Sequence, residues 1–177
     1  MTTHLWNLPS ASNVITAAVA FLMASLLMPW ITACMPAACF AAKEVCRWMQ
    51  APTELGVTVL KKPARYLLGK PRLVYHYAWH EARCVDVFSD TDWAGCPKTR
   101  KGTSGGCVML GRHLIKSWSK QQKVVALSSA ESETNAVVPA SCKILGIQAC
   151  ASDLAMNLEG EVFADASAAL GIIARLW

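Results

Sequence analysis

The sequence predicts an α/β protein in which helices pack on a mixed β-sheet. Two observations favour this class. Short alternating or apolar stretches bounded by turn residues are typical of strands, and they occur at 73–79, 84–89, 106–110, 114–119 and 161–164. Longer stretches with helical spacing lie before and between them. The resulting order is strand, strand, hairpin, helix, strand, helix, which indicates one sheet with helices on it.

The helices are predicted from their spacing and their end signals. Residues 43–50 form a first helix, and Thr53 caps a second over 54–68 that ends at Gly69. Ser128 and Glu131 have the spacing of a capping box, so a third helix begins there. It is expected to reach Cys142, with a kink at Pro139, and to be followed by helical stretches at 143–156 and 167–175.

The first 42 residues differ in composition from the rest. The chain has 177 residues, of which 54% are hydrophobic and only 16% charged. Residues 1–42 contain no Asp, Glu, Lys or Arg, so they form a separate apolar leader that is expected to be helical. Residues 14–30 approach the length of a membrane span, although no basic segment precedes them. A membrane segment, a buried helix of a larger assembly and a leader from a misread start all remain open.

The charge and the cysteines exclude few functions. A net charge of +5 permits a polyanionic partner without requiring one. The eight cysteines form no CxxC pair, and the four histidines add no ligand spacing, so no zinc site is expected. Several cysteines lie in apolar runs, where the side chain is expected to act as a small buried hydrophobe.

Acidic residues stand where strands end and a helix begins. Asp90 and Asp92 follow a strand in VFSDTDWAG, Glu131 and Glu133 lie in the first turns of the third helix, and Asp165 follows the last strand. Carboxylates at such positions can converge on one edge of a sheet, where oxygen ligands suit Mg²⁺ or Mn²⁺. Two such ions could activate water and stabilise the leaving oxygen of a phosphodiester. Each acid also has a structural explanation: a cap for Asp165, half of a capping box for Glu131 and a turn for Asp92.

Long motifs make a resemblance specific. The stretches SDTDWAG (89–95), KTRKGTSGGCVMLG (98–111), IKSWSKQQKVVALSSAESE (115–133) and FADASAALGI (163–172) closely resemble the ribonuclease H domain of copia-type LTR retrotransposon polyproteins. Residues 43–80 resemble the connection between the reverse transcriptase and that domain. The resemblance implies three parts: the leader 1–42, the connection 43–80 and a ribonuclease H-like domain 81–177 that is incomplete at its C-terminal end.

The resemblance implies Mg²⁺-dependent cleavage of the RNA strand of an RNA–DNA hybrid, with two ions at an intact site and no small-molecule cofactor. The catalytic and metal-binding residues it implies are Asp90, Glu133 and Asp165. Residues two apart on a helix point about 200° apart, so Glu131 and Glu133 cannot both face one site, and Glu131 fits the cap better. The family's pattern of a catalytic Glu followed by Ala three positions on fits Glu133 with Ala136, so Glu133 is preferred. Basic residues are predicted to bind nucleic acid: Lys98, Arg100, Lys101, Lys120 and Lys123.

The sequence departs from the family pattern in ways that leave alternatives open. The family's fourth carboxylate lies beyond FADASAALGI and has no counterpart before Trp177, and Thr134 replaces the usual aromatic residue. The chain could therefore be a hybrid-cutting ribonuclease, a nucleic-acid-binding remnant without activity, or a membrane-anchored pseudogene product. Its partners are expected to be the hybrid and the parent reverse transcriptase module. The family implies a cytoplasmic or nuclear location, and residues 14–30 a membrane location if they insert.

Overall fold

A computed structural model describes residues 35–49, 53–70, 72–165, 167 and 171. Most of the apolar leader, including the candidate membrane segment 14–30, lies outside these residues, as does most of the helix predicted over 167–175. Within the described part, no helix is both long enough and apolar enough to cross a bilayer. The chain divides into two compact units, Met1–Val74 and Tyr75–Trp177.

The first unit contains two described α-helices. A 3₁₀ turn, Pro36–Ala38, leads into α1 (Cys39–Cys46), which begins and ends about four residues before its predicted position at 43–50. Helix α2 (Glu54–Gly69) matches its prediction, and Thr53 caps it by accepting a hydrogen bond from the Gly56 amide at 3.3 Å. Ala42 and Val45 are buried, so a small local core holds the two helices together.

The second unit is built on a four-stranded sheet with the order β3-β2-β1-β4. The strands are β1 (Cys84–Asp92), β2 (Thr103–Leu110), β3 (His113–Gln121) and β4 (Glu159–Ala164). Strands β1 to β3 are antiparallel neighbours, whereas β4 runs parallel to β1. The predicted hairpin is confirmed, and Gly111 occupies its turn with a φ of +55° that favours glycine.

Helix α3 (Ser129–Asp153) covers one face of the sheet and supplies the crossover between β3 and β4. Its residues Ala136, Ala140 and Ile144 recur every fourth position and are buried. They face a sheet surface that includes Val85, Val87 and Val108, each fully buried. Because the helix side chains are small, α3 can approach the β-branched valines of the sheet closely. This packing fixes the position of the first turn of α3 over the strand ends.

Two predictions about these elements were wrong. The aromatic alternation at 73–79 does not form a strand, because Val74 and Trp79 are more than 80% exposed and no sheet neighbour pairs with the segment. Side chains hold it instead, as when Tyr77 Oη donates to the Leu114 carbonyl at 3.0 Å. The helix predicted to end at Cys142 continues through Pro139 to Asp153. Proline removes one backbone hydrogen bond there, but the buried turns on both sides keep the helix continuous.

Candidate carboxylate site

Three carboxylates meet at one end of the sheet. Asp90, Glu133 and Asp165 each offer an oxygen atom, and these three oxygens lie within 4.8 Å of one another. Asp90 and Asp165 are exposed, while Glu133 is buried. These are the three residues that the resemblance implied as metal ligands, and the fold brings them together.

The register of the parallel pair explains the position of both aspartates. Ser89 pairs with Ala164, so Asp90 and Asp165 each follow the last matched position on neighbouring strands. The carboxyl ends of parallel strands share one sheet edge, so side chains there converge. Strand β1 continues to Asp92, so Asp90 lies two residues before its end. An open cleft of about 380 Å³ lies beside both aspartates and is lined by Phe88, Ser89, Asp90, Gly106, Cys107, Phe163, Ala164 and Asp165.

Glu133 reaches the cluster from the first turns of α3. Thr91 Oγ1 donates a hydrogen bond of 2.6 Å to Glu133 Oε1, which fixes the carboxylate against β1. Its second oxygen, Oε2, is buried and has no hydrogen-bond partner among the described residues. Burial raises the pKa of Glu133, the charges of Asp165 and Asp90 raise it further, and the bond from Thr91 opposes this shift. A buried carboxylate oxygen without a partner is costly, which favours a cation or a proton at this position.

The neighbouring acids have structural roles. Ser128 Oγ accepts from the Glu131 amide at 3.2 Å, and Glu131 Oε2 accepts from the Leu127 amide at 2.8 Å. The predicted cap at Ser128 is therefore confirmed, and the Glu131 carboxylate is turned away from the cluster to the helix start. Asp92 lies at the strand end with its carboxylate against Gly95, where a Cβ would overlap it. Neither acid belongs to the cluster.

A buried polar network holds the first turn of α3 to the sheet. Gln122 Nε2 donates to Ser104 Oγ at 2.9 Å and to the Ser132 carbonyl at 2.8 Å. Ser132 Oγ donates back to Gln122 Oε1 at 3.2 Å. Because Ser132 precedes Glu133, this network fixes the position of Glu133 relative to the strand ends. Such a fully bonded buried network favours a single arrangement.

The donor set fits a divalent cation that prefers oxygen. Three carboxylates from two strands and one helix present hard oxygen ligands, which suit Mg²⁺ or Mn²⁺ better than zinc or copper. The partnerless Oε2 of Glu133 is the specific observation that supports the fit, since a bound ion would satisfy it. The three carboxylates would repel one another when all are ionised, and an ion would neutralise that repulsion.

The predicted nucleic-acid-binding residues lie at the same end of the sheet. Lys98, Arg100 and Lys101 belong to the loop between β1 and β2, and Lys120 and Lys123 lie at or just beyond the end of β3. Gln121 Nε2 donates to Thr99 Oγ1 at 3.3 Å, which ties this loop to β3. The loop is tight, because the Arg100 amide bonds to the Cys96 carbonyl at 2.8 Å and Cys96 is buried. Basic groups therefore line the sheet end that carries the carboxylates.

Sequence reasoning missed the residues that position Glu133. No sequence pattern marked Thr91 as functional, although its place two residues after Ser89 puts it on the α3 face of β1. The burial of Gln122 and Ser132 could not be predicted from the sequence, because polar residues are mostly exposed and only the packing shows which are not. The cysteine expectation held only in part: Cys96 is buried, but Cys142 and Cys150 are exposed.

Comparison with known proteins finds several relatives, two of which are retrotransposon polyproteins. Over 114 residues, the chain is 37% identical to an uncharacterized mitochondrial protein of Arabidopsis thaliana. This alignment covers 62% of this chain and 46% of that protein. The chain is 33% and 32% identical over 119 residues to the retrovirus-related Pol polyproteins from transposons RE1 and RE2 of the same plant. Those matches cover 67% of this chain and 8% of each polyprotein. No family model matches the chain, and no solved structure matches it.

The two polyprotein matches support a retroelement-derived protein. The chain is related in sequence to part of retrotransposon Pol polyproteins, and it spans less than half the length of the curated relatives named above. The activity of those whole proteins can therefore only be proposed for this chain.

Proposed function

We propose that the second unit is a ribonuclease H-like domain that cleaves the RNA strand of RNA–DNA hybrids with the help of Mg²⁺. The observation that carries this proposal is the convergence of Asp90, Glu133 and Asp165 at one sheet end, within 4.8 Å of one another. Relatedness to retrotransposon Pol polyproteins agrees with it, because copying such an element through reverse transcription produces RNA–DNA hybrids.

Each carboxylate has a distinct place in the proposed reaction. Asp90 and Asp165 are exposed to the cleft, so they would meet the scissile phosphate together with the cation. Glu133 is buried and anchored by Thr91, so it would hold its side of the site in place. When bound, the cation would supply an activated water and charge stabilisation at the leaving oxygen.

Basic residues at the sheet end would hold the substrate. A hybrid presents two lines of phosphates, and its RNA strand is distinguished by 2′-hydroxyl groups in a wide, shallow minor groove. Lys98, Arg100 and Lys101 lie on the loop that Gln121 ties to β3, so they would grip the backbone beside the carboxylates. The modest net charge of +5 suffices for contacts of this kind.

The test is strand-specific cleavage by the full chain. We expect the protein to cut the RNA strand of a labelled hybrid in Mg²⁺ or Mn²⁺ and to leave a DNA duplex of the same sequence intact. Asp90→Asn should abolish cutting, whereas Glu131→Gln, a matched change two residues from Glu133, should preserve it. A folded protein that binds the hybrid and never cuts it would refute the enzyme and leave a nucleic-acid-binding remnant.

A further inference from the structure

A second polar feature lies along the outer edge of the sheet, between β3 and α3. It is a groove of about 350 Å³ whose lining includes Trp118, Lys120, Gln122, Asn135, Pro139 and Lys143. The helix contributes Asn135, Pro139 and Lys143, which are spaced four residues apart and so share one face of α3. The sequence prediction had assigned nucleic-acid binding to Lys120 and Lys123 but to no residue of the helix.

Lys143 is held in a fixed position over the groove. Its Nζ lies 4.1 Å from the centre of the Trp118 ring, a cation–π contact, and it donates to the Pro139 carbonyl at 3.1 Å. An ammonium group has three N–H donors, so two remain for a ligand. A lysine that is already ordered loses less conformational entropy when it binds an anion than a free surface lysine does.

Positive charge gathers around Lys143 without an acidic partner. Burial lowers the pKa of Lys143, the charges of Lys116 and Lys120 lower it further, and Cys142 opposes this shift. Among the described residues, Lys116, Lys120 and Lys143 form no ion pair with a carboxylate. Like charges held together in this way favour an anion between them.

Asn135 adds an unused donor. Its Nδ2 group is buried and has no hydrogen-bond partner among the described residues. Pro139 has no N–H, so it also leaves the Asn135 backbone carbonyl without its usual helical partner. An amide N–H₂ beside lysine ammonium groups offers donors to an acceptor-only ligand such as a phosphate oxygen.

We propose that this groove binds the phosphate backbone of a nucleic-acid strand, with Lys143, Lys120 and Asn135 as its principal donors. The proposal rests on the proposed function for the class of ligand, and it extends the contact surface along α3. Lys143 lies ten residues after Glu133, about 15 Å along the helix axis at 1.5 Å per residue. The groove therefore extends from Asn135, two residues after Glu133, to Lys143, and it continues the basic band formed by the loop at 98–101.

The test measures binding rather than cleavage. The full chain is titrated with an RNA–DNA hybrid in EDTA at several salt concentrations, so that no cutting occurs and no metal is needed. Lys143→Gln and Lys120→Gln should each weaken binding about three- to tenfold and reduce the slope of log K against log salt by about 1. Lys143→Arg should retain most of the affinity. The matched control is Lys62→Gln, an exposed lysine of α2 in the other unit, which should leave affinity and slope unchanged.

Each outcome decides the proposal separately from catalysis. If Lys143→Gln and Lys120→Gln unfold at the wild-type temperature and bind like Lys62→Gln, the groove is not a phosphate site, whether or not the wild type cuts. If both variants lose affinity and salt dependence, the groove is a phosphate-binding site, even if the wild type cleaves nothing in Mg²⁺. Asn135→Ala provides a variant without a charge change: it should weaken binding while leaving the salt slope as it is, and unchanged affinity would remove Asn135 from the site.

Discussion

Glu133→Gln should make the metal-free protein more stable at neutral pH while it removes a carboxylate from the cluster. The Glu133 side chain is buried beside two aspartates, and its Oε2 has no partner. Glutamine has nearly the same shape, and its carbonyl oxygen can still accept the bond that Thr91 Oγ1 donates. The substitution therefore removes charge repulsion and desolvation without removing the contact that holds the side chain.

The expected gain follows from the separation of the oxygens. Because the three oxygens lie within 4.8 Å of one another, each ionised pair costs at least about 0.9 kcal/mol in a water-like medium and at least about 3.5 kcal/mol at an effective dielectric constant of 20. Two of the three pairs include Glu133. With screening by salt, relief of about 1 kcal/mol is a conservative value, which corresponds to a rise in Tm of about 4–8 °C for a unit of this size.

The pH dependence has a definite sign. The folded state raises the pKa of Glu133, so it binds the proton more tightly than the unfolded chain does. Wild-type stability should then fall as pH rises from the unfolded value of about 4.3 through the raised folded value. Below about pH 4, Glu133 is protonated in both states, so the advantage of the glutamine variant should disappear there.

The assay is thermal unfolding of the full chain, followed by circular dichroism at pH 4 and pH 7 in EDTA and again in 10 mM Mg²⁺. Bound Mg²⁺ should raise the Tm of the wild type more than that of Glu133→Gln, since the variant loses a ligand. Glu131→Gln is the matched control and should show no rise at pH 7. A Glu133→Gln variant that is less stable than wild type at pH 7, or equally stabilised at both pH values, would refute the reasoning.

Three further predictions concern the supports of the site. Gly106→Ala should destabilise the protein by about 1–3 kcal/mol in a denaturant titration, because the added Cβ would overlap the Phe88 carbonyl and the Trp118 ring. The control Gly105→Ala should change stability by no more than about 0.5 kcal/mol. Thr91→Val removes the donor that lowers the pKa of Glu133, so the pH at which Mn²⁺ binds half-maximally should move upward; an unmoved midpoint would show that the bond does not matter. Ser128→Ala should cost about 1 kcal/mol in the same titration, and no loss would contradict its role as a cap.

The sequence was informative where local chemistry decides structure. The alternation at 84–89, the capping box at Ser128 and the hairpin at Gly111 depend on neighbouring residues, so they could be found without a fold. The choice of Glu133 over Glu131 needed more than helix geometry: the capping box assigned Glu131 to the helix start, and the resemblance to a known family favoured Glu133. Together these features predict that Asp90 and Asp165 lie at strand ends and that Glu133 lies at the start of a helix.

The sequence was uninformative where contacts between distant segments decide. The stretch 73–79 has the pattern of a strand but finds no sheet neighbour, because that depends on the strand order and not on its own residues. Pro139 signals a break, yet packing of Ala140 and Ile144 against the sheet overrides it. Likewise the place of Lys143 over Trp118 joins residues 25 positions apart, and no local pattern marks it.

The most direct test of the carboxylate site is the location of a bound Mn²⁺ ion. Crystals of the full chain grown with Mn²⁺ would be measured at a wavelength where manganese scatters anomalously, beside crystals of Asp90→Asn. We predict an anomalous peak within coordination distance of Asp90, Glu133 and Asp165 in the wild type, weakened or lost in the variant. A fully occupied peak elsewhere, with the three carboxylates bound only to water or to one another, would contradict the account.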